Sequence, residues 1–319
     1  MRHDAQIAWE AITPPTANLA EVPVYDERDG SLYWIDVFGQ TLHRTDWSTR
    51  QTQTWFLPSA VGSYALREQS QSVIVALEDG IYLLDLRTSN LALLFAAPFD
   101  TAHERFNDGR CDPQGRFWVG TIRLPGSEQP NGRGFFYRLA DGALSAQIDG
   151  VTAANGIAFS PNGDTIYLAD AVNSRLLAYN FDGKTGTVRE KRVFATLDSK
   201  LIPDGAAVDT EGRYWIAMFG AGEVHRFTPE GRCDRVLSLP VTTPTMCAFG
   251  GPNRSTLIVA TARFSLTKQQ LADQPLAGAI LIADVGAVGL PEPRSKFEFP
   301  TPGNVSGPSF KVRPACLED

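Results

Sequence analysis

Short runs of β-branched and aromatic residues, broken every few positions by Gly, Asp, Asn or Pro, set the pattern of this chain, and helical periodicity is almost absent. The exception is Ser265–Ala272, which reads as a short helix behind a Ser265 cap. Elsewhere a polar turn leads repeatedly into an apolar run. Asp26–Gly30 precedes Leu32–Ile35, Asp112–Gly115 precedes Phe117–Val119, Ser160–Gly163 precedes Ile166–Leu168, and Asp209–Gly212 precedes Tyr214–Ile216. Two weaker copies, Arg67–Ser70 before Val73–Val75 and Gly251–Arg254 before Leu257–Val259, complete six repeats with a period of 40 to 49 residues.

A third run continues the repeats at Ile81–Leu86, Gly134–Leu139, Arg175–Phe181, Glu223–Thr228 and Ala279–Asp284, and a fourth follows at Gln53–Leu57, Arg192–Ala195 and Arg235–Leu239. Four antiparallel strands at this spacing are the signature of a propeller blade. One such sheet cannot bury both of its faces alone, so the copies must stack on each other. The pattern predicts an all-β chain, residues 1–319 forming a single six-bladed β-propeller with four antiparallel strands per blade. Gln6–Ile12 is expected to add a strand to the last blade and close the ring. A solenoid, the competing arrangement, lacks such a closing strand and needs caps.

Composition narrows the partners. The 319 residues carry a net charge of −7, from 29 basic and 36 acidic side chains, with no basic run. Nucleic acid and anionic membrane surfaces are therefore not expected as partners. No apolar stretch approaches the ~18 residues of a membrane span; the longest, Leu91–Phe99, is interrupted by Pro98. The N-terminal residues show no secretory signal pattern. Cys111, Cys233, Cys247 and Cys316 are scattered without a C-x-x-C pair, which reads as free thiols in a reducing, cytoplasmic setting.

In a closed ring, equivalent positions of the innermost strands lie at similar distances from the axis. Four residues before the end of each such strand stand Glu21, Asn107, Asn155, Asp204 and Thr245, while the second repeat offers only Gly62 or Ser63. Two carboxylates and two amides would then aim at one spot, where Glu21 and Asp204 repel each other unless a cation lies between them. Oxygen donors suit Ca²⁺, Mg²⁺ or Mn²⁺ and admit Zn²⁺ or Fe²⁺. Asp108 and Asp112, beside turns, read as caps or solvated acids.

At these residues the chain resembles the gluconolactonase, regucalcin and luciferin-regenerating-enzyme family, also called the senescence marker protein family. The resemblance rests on Arg105-Phe106-Asn107-Asp108-Gly109, then Asp112-Pro113 with Gly115-Arg116-Phe117-Trp118 and Gly120-Thr121. Asn155-Gly156, Ser160-Pro161-Asn162-Gly163, Pro203-Asp204-Gly205 and Pro244-Thr245 continue it in order along nearly the whole chain. It implies a six-bladed propeller, one divalent metal held by Glu21, Asn155 and Asp204, substrate contacts from Arg105 and Asn107, and hydrolysis of a small sugar lactone. Asp204 would guide the proton of the attacking water away, with Glu21 as the alternative base.

Two departures matter. Val22 stands where the family has a glycine after the acid. Arg123, in Ile122-Arg123-Leu124-Pro125, occupies a segment where sugar lactonases carry Met and acidic residues; facing the site, it would favour a substrate with a carboxylate, sulfonate or phosphate tail. No G-x-S-x-G and no H-E-x-x-H spacing occurs, and the four histidines show no ligand spacing, which disfavours serine and zinc-histidine hydrolases. The rival readings are a phosphotriesterase-like hydrolase on the same propeller and a non-catalytic propeller that binds calcium or a protein. The oligomeric state, the lactone and the physiological metal are left open by the sequence.

Overall fold

The computed structural model describes residues 2–3, 7–298 and 309–312. Six sheets follow one another along the chain, with innermost strands Ala20–Asp26, Val61–Leu66, Glu104–Cys111, Asn155–Phe159, Ile202–Val208 and Pro244–Gly250. In the first five sheets, four antiparallel strands run outward in sequence order. The sixth takes its outer strand from the other end of the chain: Glu10–Ala11 pairs antiparallel with Ile280–Asp284, Glu10 opposite Ile282. The molecule is a six-bladed β-propeller closed by an N-terminal strand, as the repeat predicts; Gln6, the start of the expected strand, and Cys316 lie outside the described residues. Two blades gain a fifth strand, Arg2–His3 running parallel to Cys233–Ser238 and Ser309–Lys311 antiparallel to Asn90–Ala96.

The repeated turns have a common chemistry. Asp112 accepts the Gln114 and Arg116 backbone N–H groups on one oxygen and the Trp118 indole N–H, at 3.0 Å, on the other. Asp209 does the same with Glu211, Arg213 and Trp215, the indole at 2.9 Å. One carboxylate thus closes the turn and fixes the tryptophan of the next strand, so Asp112 is the cap that the sequence suggests. Trp118 and Trp215 are fully buried between blades. Each removes about 200 Å² from water, about 5 kcal/mol at ~25 cal/mol/Å².

One expectation is corrected in detail. The helix spans Lys268–Asp273 and its cap is Thr267, whose side chain accepts from Gln270 N–H in a capping box. Ser265 is at φ 71°, left-handed backbone, whereas an N-cap needs extended backbone.

At the end of the ring where the innermost strands finish, residues 288–296 cross from blade to blade. Thr210 donates to Val288 O, Gly289 to Arg254 O, Ser295 to Leu66 O and Lys296 to Gly115 O. From this strap Glu292 pairs with Arg110 at 3.0 Å. The strap covers that end, and the candidate residues stand at the opposite one. Among the described residues no helix is long and apolar enough to cross a membrane.

Candidate metal and substrate site

The four candidate polar residues are set apart by exposure. Glu21, Asn107 and Asp204 are each partly exposed between buried neighbours, and Asn155 opens a strand that is otherwise buried. In the second and sixth blades every residue of the innermost strand is buried. Four of the six blades therefore open a polar side chain toward the channel.

A β-bulge accompanies every one of these positions. The register between the first and second strands shifts at Glu21/Val24, Val61/Ser63, Phe106/Gly109, Asn155/Ala158, Pro203/Ala206 and Pro244/Met246. A bulge re-aims side chains that strict alternation would send into the sheet-to-sheet contacts. Gly156 serves one of these bends: it is at φ 66°, and a Cβ there would lie 2.4 Å from the Tyr214 hydroxyl, which donates to Gly156 O at 2.7 Å.

The side chains form a connected set. Arg105, 7% exposed, donates from one guanidinium nitrogen to Phe106 O at 2.7 Å and to Asn107 Oδ1 at 2.9 Å. Asn107 Nδ2 in turn donates to Ala154 O at 2.9 Å and Asn155 Oδ1 at 3.0 Å. Glu21 and Asp204 face this chain of amides. Burial, Asp204 and Asp108 together push the Glu21 carboxyl well above the usual range, with the Val22 N–H and Arg105 opposing. Burial and then Asp108 raise Asp204 in the same way.

Asp108 is the acid that sequence reasoning set aside. It is neither solvated nor a turn cap: it is 6% exposed, its Oδ2 accepts Ile157 N–H at 3.3 Å, and its Oδ1 is buried with no hydrogen-bond partner. Burial pushes its carboxyl up to about 6, against Arg110 and the backbone N–H groups of Ile157, Gly109 and Gly156. The two remaining copies do structural work. Thr245 Oγ1, fully buried, donates to Ala20 O at 2.5 Å, and Ser63 Oγ donates to Gly109 O at 3.0 Å. A Cβ on Gly62 would come within 2.2 Å of Phe106 O, so the second blade presents no side chain there.

Arg123 stands apart from the set. Its guanidinium donates to Ser127 O in its own loop, and its Nε is buried without a partner. His103, in the segment before strand Glu104–Cys111, bonds Ser127 Oγ of that loop at 3.1 Å rather than any of the candidate ligands.

The donor chemistry fits a hard divalent cation. Two carboxylates held well above their usual range, both by burial and the Asp108 charge and Glu21 also by Asp204, lie with an amide oxygen and an unpartnered carboxylate oxygen on Asp108 in an acceptor-rich pocket that a cation would neutralise. Among the described residues no three His, Cys, Asp or Glu side chains form a ready-made ligand group, so the set that fits is two carboxylates and an amide.

The family model described as the SMP-30/Gluconolactonase/LRE-like region matches residues 19–263, most of the chain. The chain belongs to that family. Among its relatives, 6-deoxy-6-sulfogluconolactonase of Pseudomonas putida is 40% identical over 277 residues, covering 86% of this chain and 94% of the relative. Regucalcin of Xenopus laevis is 31% identical over 292 residues, covering 90% and 97%. Among solved structures, the calcium-binding protein regucalcin from Agrobacterium tumefaciens superposes with a TM-score of 0.88 at 28% identity, covering 93% of this chain and all of the other. A luciferin-regenerating enzyme, at 23% identity and a TM-score of 0.83, shares the fold.

Proposed function

We propose that this protein hydrolyses a sugar-type lactone to its hydroxy acid, using one divalent cation held by Glu21, Asn155 and Asp204. The observation that carries this reading is the convergence of two pKa-raised carboxylates with a hydrogen-bonded Arg105–Asn107–Asn155 chain at one end of the channel. Membership of a family whose relatives include a named gluconolactonase supplies the reaction class. A bound cation would stabilise the negative charge that develops on the carbonyl oxygen and would neutralise the acidic pair.

The protein's own residues account for the remaining steps. Asp204 accepts a proton from the water that adds to the lactone carbonyl. The ring C–O bond then breaks, the ring oxygen takes up that proton from Asp204, and the new carboxylic acid loses its own proton to water and leaves as the carboxylate. Arg105 and Asn107 hold substrate oxygens, Arg105 with a second guanidinium nitrogen beyond the one committed to Asn107. Glu21 sits beside the pair as a ligand, and a base role for it predicts that Glu21→Gln would fall as far as Asp204→Asn.

A narrower reading of the substrate has its own support. The relative at 40% identity is named for a sulfonated gluconolactone, and Arg123 carries a buried Nε with no partner. An anionic tail on the lactone would find its counter-charge in Arg123.

The test is proton release from aldono-, aldaro- and aliphatic lactones after chelation and after return of Ca²⁺, Mg²⁺, Mn²⁺, Zn²⁺ or Fe²⁺. Turnover that needs the cation and falls at least about 100-fold in Asp204→Ala supports the reading. Arg123→Gln is expected to raise KM for acid-tailed lactones several-fold and leave neutral ones unchanged. Stoichiometric cation binding with no turnover on any lactone would leave the phosphotriesterase and binding-propeller readings in its place.

A further inference from the structure

Two exposed aromatic side chains meet on the site's end of the ring. Phe38, 43% exposed, lies in the turn between strands Ser31–Asp36 and Thr41–Asp46, and Phe264, 50% exposed, follows strand Thr256–Thr261. Their rings meet at 5.1 Å between centroids, at 54°. Both turns adjoin the start of the strand that carries Glu21: Ala20 pairs with Asp36, and Leu19 bridges Ala262.

The pair is held rigidly. Asp36 accepts the backbone N–H groups of Asn18, Leu19 and Gly39 at 2.9 to 3.0 Å, which fixes the loop on both sides of Phe38. Gly39 is required there, because a Cβ would lie 2.4 Å from Asp36 Oδ2. Phe264 N–H donates to Asn18 O at 2.8 Å, tying the second ring to the same segment. Two apolar rings are thus kept in water by a backbone that gives them no route inward.

The patch is continuous with the polar set. The Arg105 guanidinium carbon lies 5.9 Å from the Phe38 ring centroid, and the same guanidinium holds Asn107, which holds Asn155. A small-molecule site typically combines such an apolar wall with a few fixed polar groups.

We propose that Phe38 and Phe264 form the apolar wall of the substrate pocket and pack against the C–H face of the lactone ring, while Arg105 and Asn107 hold its oxygens. A ring with hydroxyls along its edges and C–H bonds on its faces matches an aromatic wall meeting a polar floor. The inference rests on the lactonase reading, and it assigns specificity to two residues outside the repeat-equivalent positions.

Two measurements on the full chain, loaded with the best cation, test it: hydrolysis of a neutral aldonolactone, and calorimetric titration with the matching aldonolactam, which keeps the ring but resists opening. Phe38→Ala and Phe264→Ala should each raise KM and the lactam Kd about three- to tenfold, with kcat within about twofold of wild type. Phe38→Tyr, which keeps the ring, should restore both. Unchanged KM and Kd in the alanine variants would overturn the inference while the wild type's turnover upholds the lactonase reading. A concentration-dependent dimer in sedimentation, dissolved by Phe38→Ala with KM unmoved, would assign the rings to a second copy and also overturn it. A wild-type protein that neither turns over the lactone nor binds the lactam would overturn the lactonase reading, and this inference with it.

Discussion

Val22 sits at φ 49°, in the left-handed region, with its side chain 3% exposed in the core of the first blade. A β-branched residue there is strained by about 1–2 kcal/mol. The bend gives the Glu21 carboxylate a hydrogen bond from the Val22 N–H. Val22 thus holds a left-handed backbone conformation that favours glycine. Val22→Gly should relieve strain while giving up a buried isopropyl group, so its net cost in urea unfolding should stay within about 1 kcal/mol. Val75→Gly, in a regular strand and fully buried, should cost about 3 kcal/mol or more. Equal losses would show that Val22 stores no strain. At this scale the sequence was informative wherever the repeat applied. Glu21, Asn107, Asn155 and Asp204 fall in register, so comparing copies finds them. Asp108 does not, because strand alternation assigns it to the opposite face from Asn107, and the Phe106/Gly109 bulge that undoes the alternation leaves no mark in a hydrophobic pattern. Phe38 lies in the connection between second and third strands, whose length differs from blade to blade, so the period carries no signal for it.

The unit that repeats is a strand with a bulge near its channel end, and what each blade does with the bulge differs. Thr245 is in register with the ligand candidates, yet its hydroxyl is spent on Ala20 O of the adjoining blade, at the seam where the ring closes. Thr245→Val keeps the shape and strands a buried carbonyl, at a cost of about 1–3 kcal/mol. Calorimetric cation titration of the same variant should give unchanged stoichiometry, since the residue is not a ligand; loss of cation binding with intact folding would reverse that assignment. Strand order, turn positions and the closing strand were readable because each follows from the spacing of polar turns and apolar runs. The helix cap was misplaced by two residues because Ser265 and Thr267 are both good cap types, and only the left-handed backbone at Ser265 decides between them. The strap over residues 288–296 has no periodic pattern, being held by scattered backbone hydrogen bonds to four blades.

For the whole molecule, the acidic cluster ties stability to pH and, on the proposed function, to a divalent cation. Burial raises Asp108 to about 6, so the folded state holds its proton more tightly than the unfolded state does. Its contribution is complete below about pH 4, the unfolded carboxyl value, and is lost as pH rises through 6. In chelated protein, wild type should therefore lose about 1 kcal/mol relative to Asp108→Asn between pH 5 and pH 8, measured by urea unfolding. His43, lowered to about 4 by burial, works in the opposite sense as pH falls, but it is common to both proteins and cancels in the difference. Returning a divalent cation at a hundredfold excess over its Kd should add about 2.7 kcal/mol and flatten the wild-type profile. A profile untouched by chelation would mean that the acids are not sharing a cation. The seam of the ring has a consequence in time as well as in space. Glu10–Ala11 leaves the ribosome first, but its partner Ile280–Asp284 is made some 270 residues later, which at ~5–20 residues per second is a wait of about 15 to 50 seconds. Through that interval five blades can assemble with nothing to clasp, and the nascent chain becomes a closed body in a single late event; the waiting segment forms only a two-residue strand, too short to recruit a neighbour on the way.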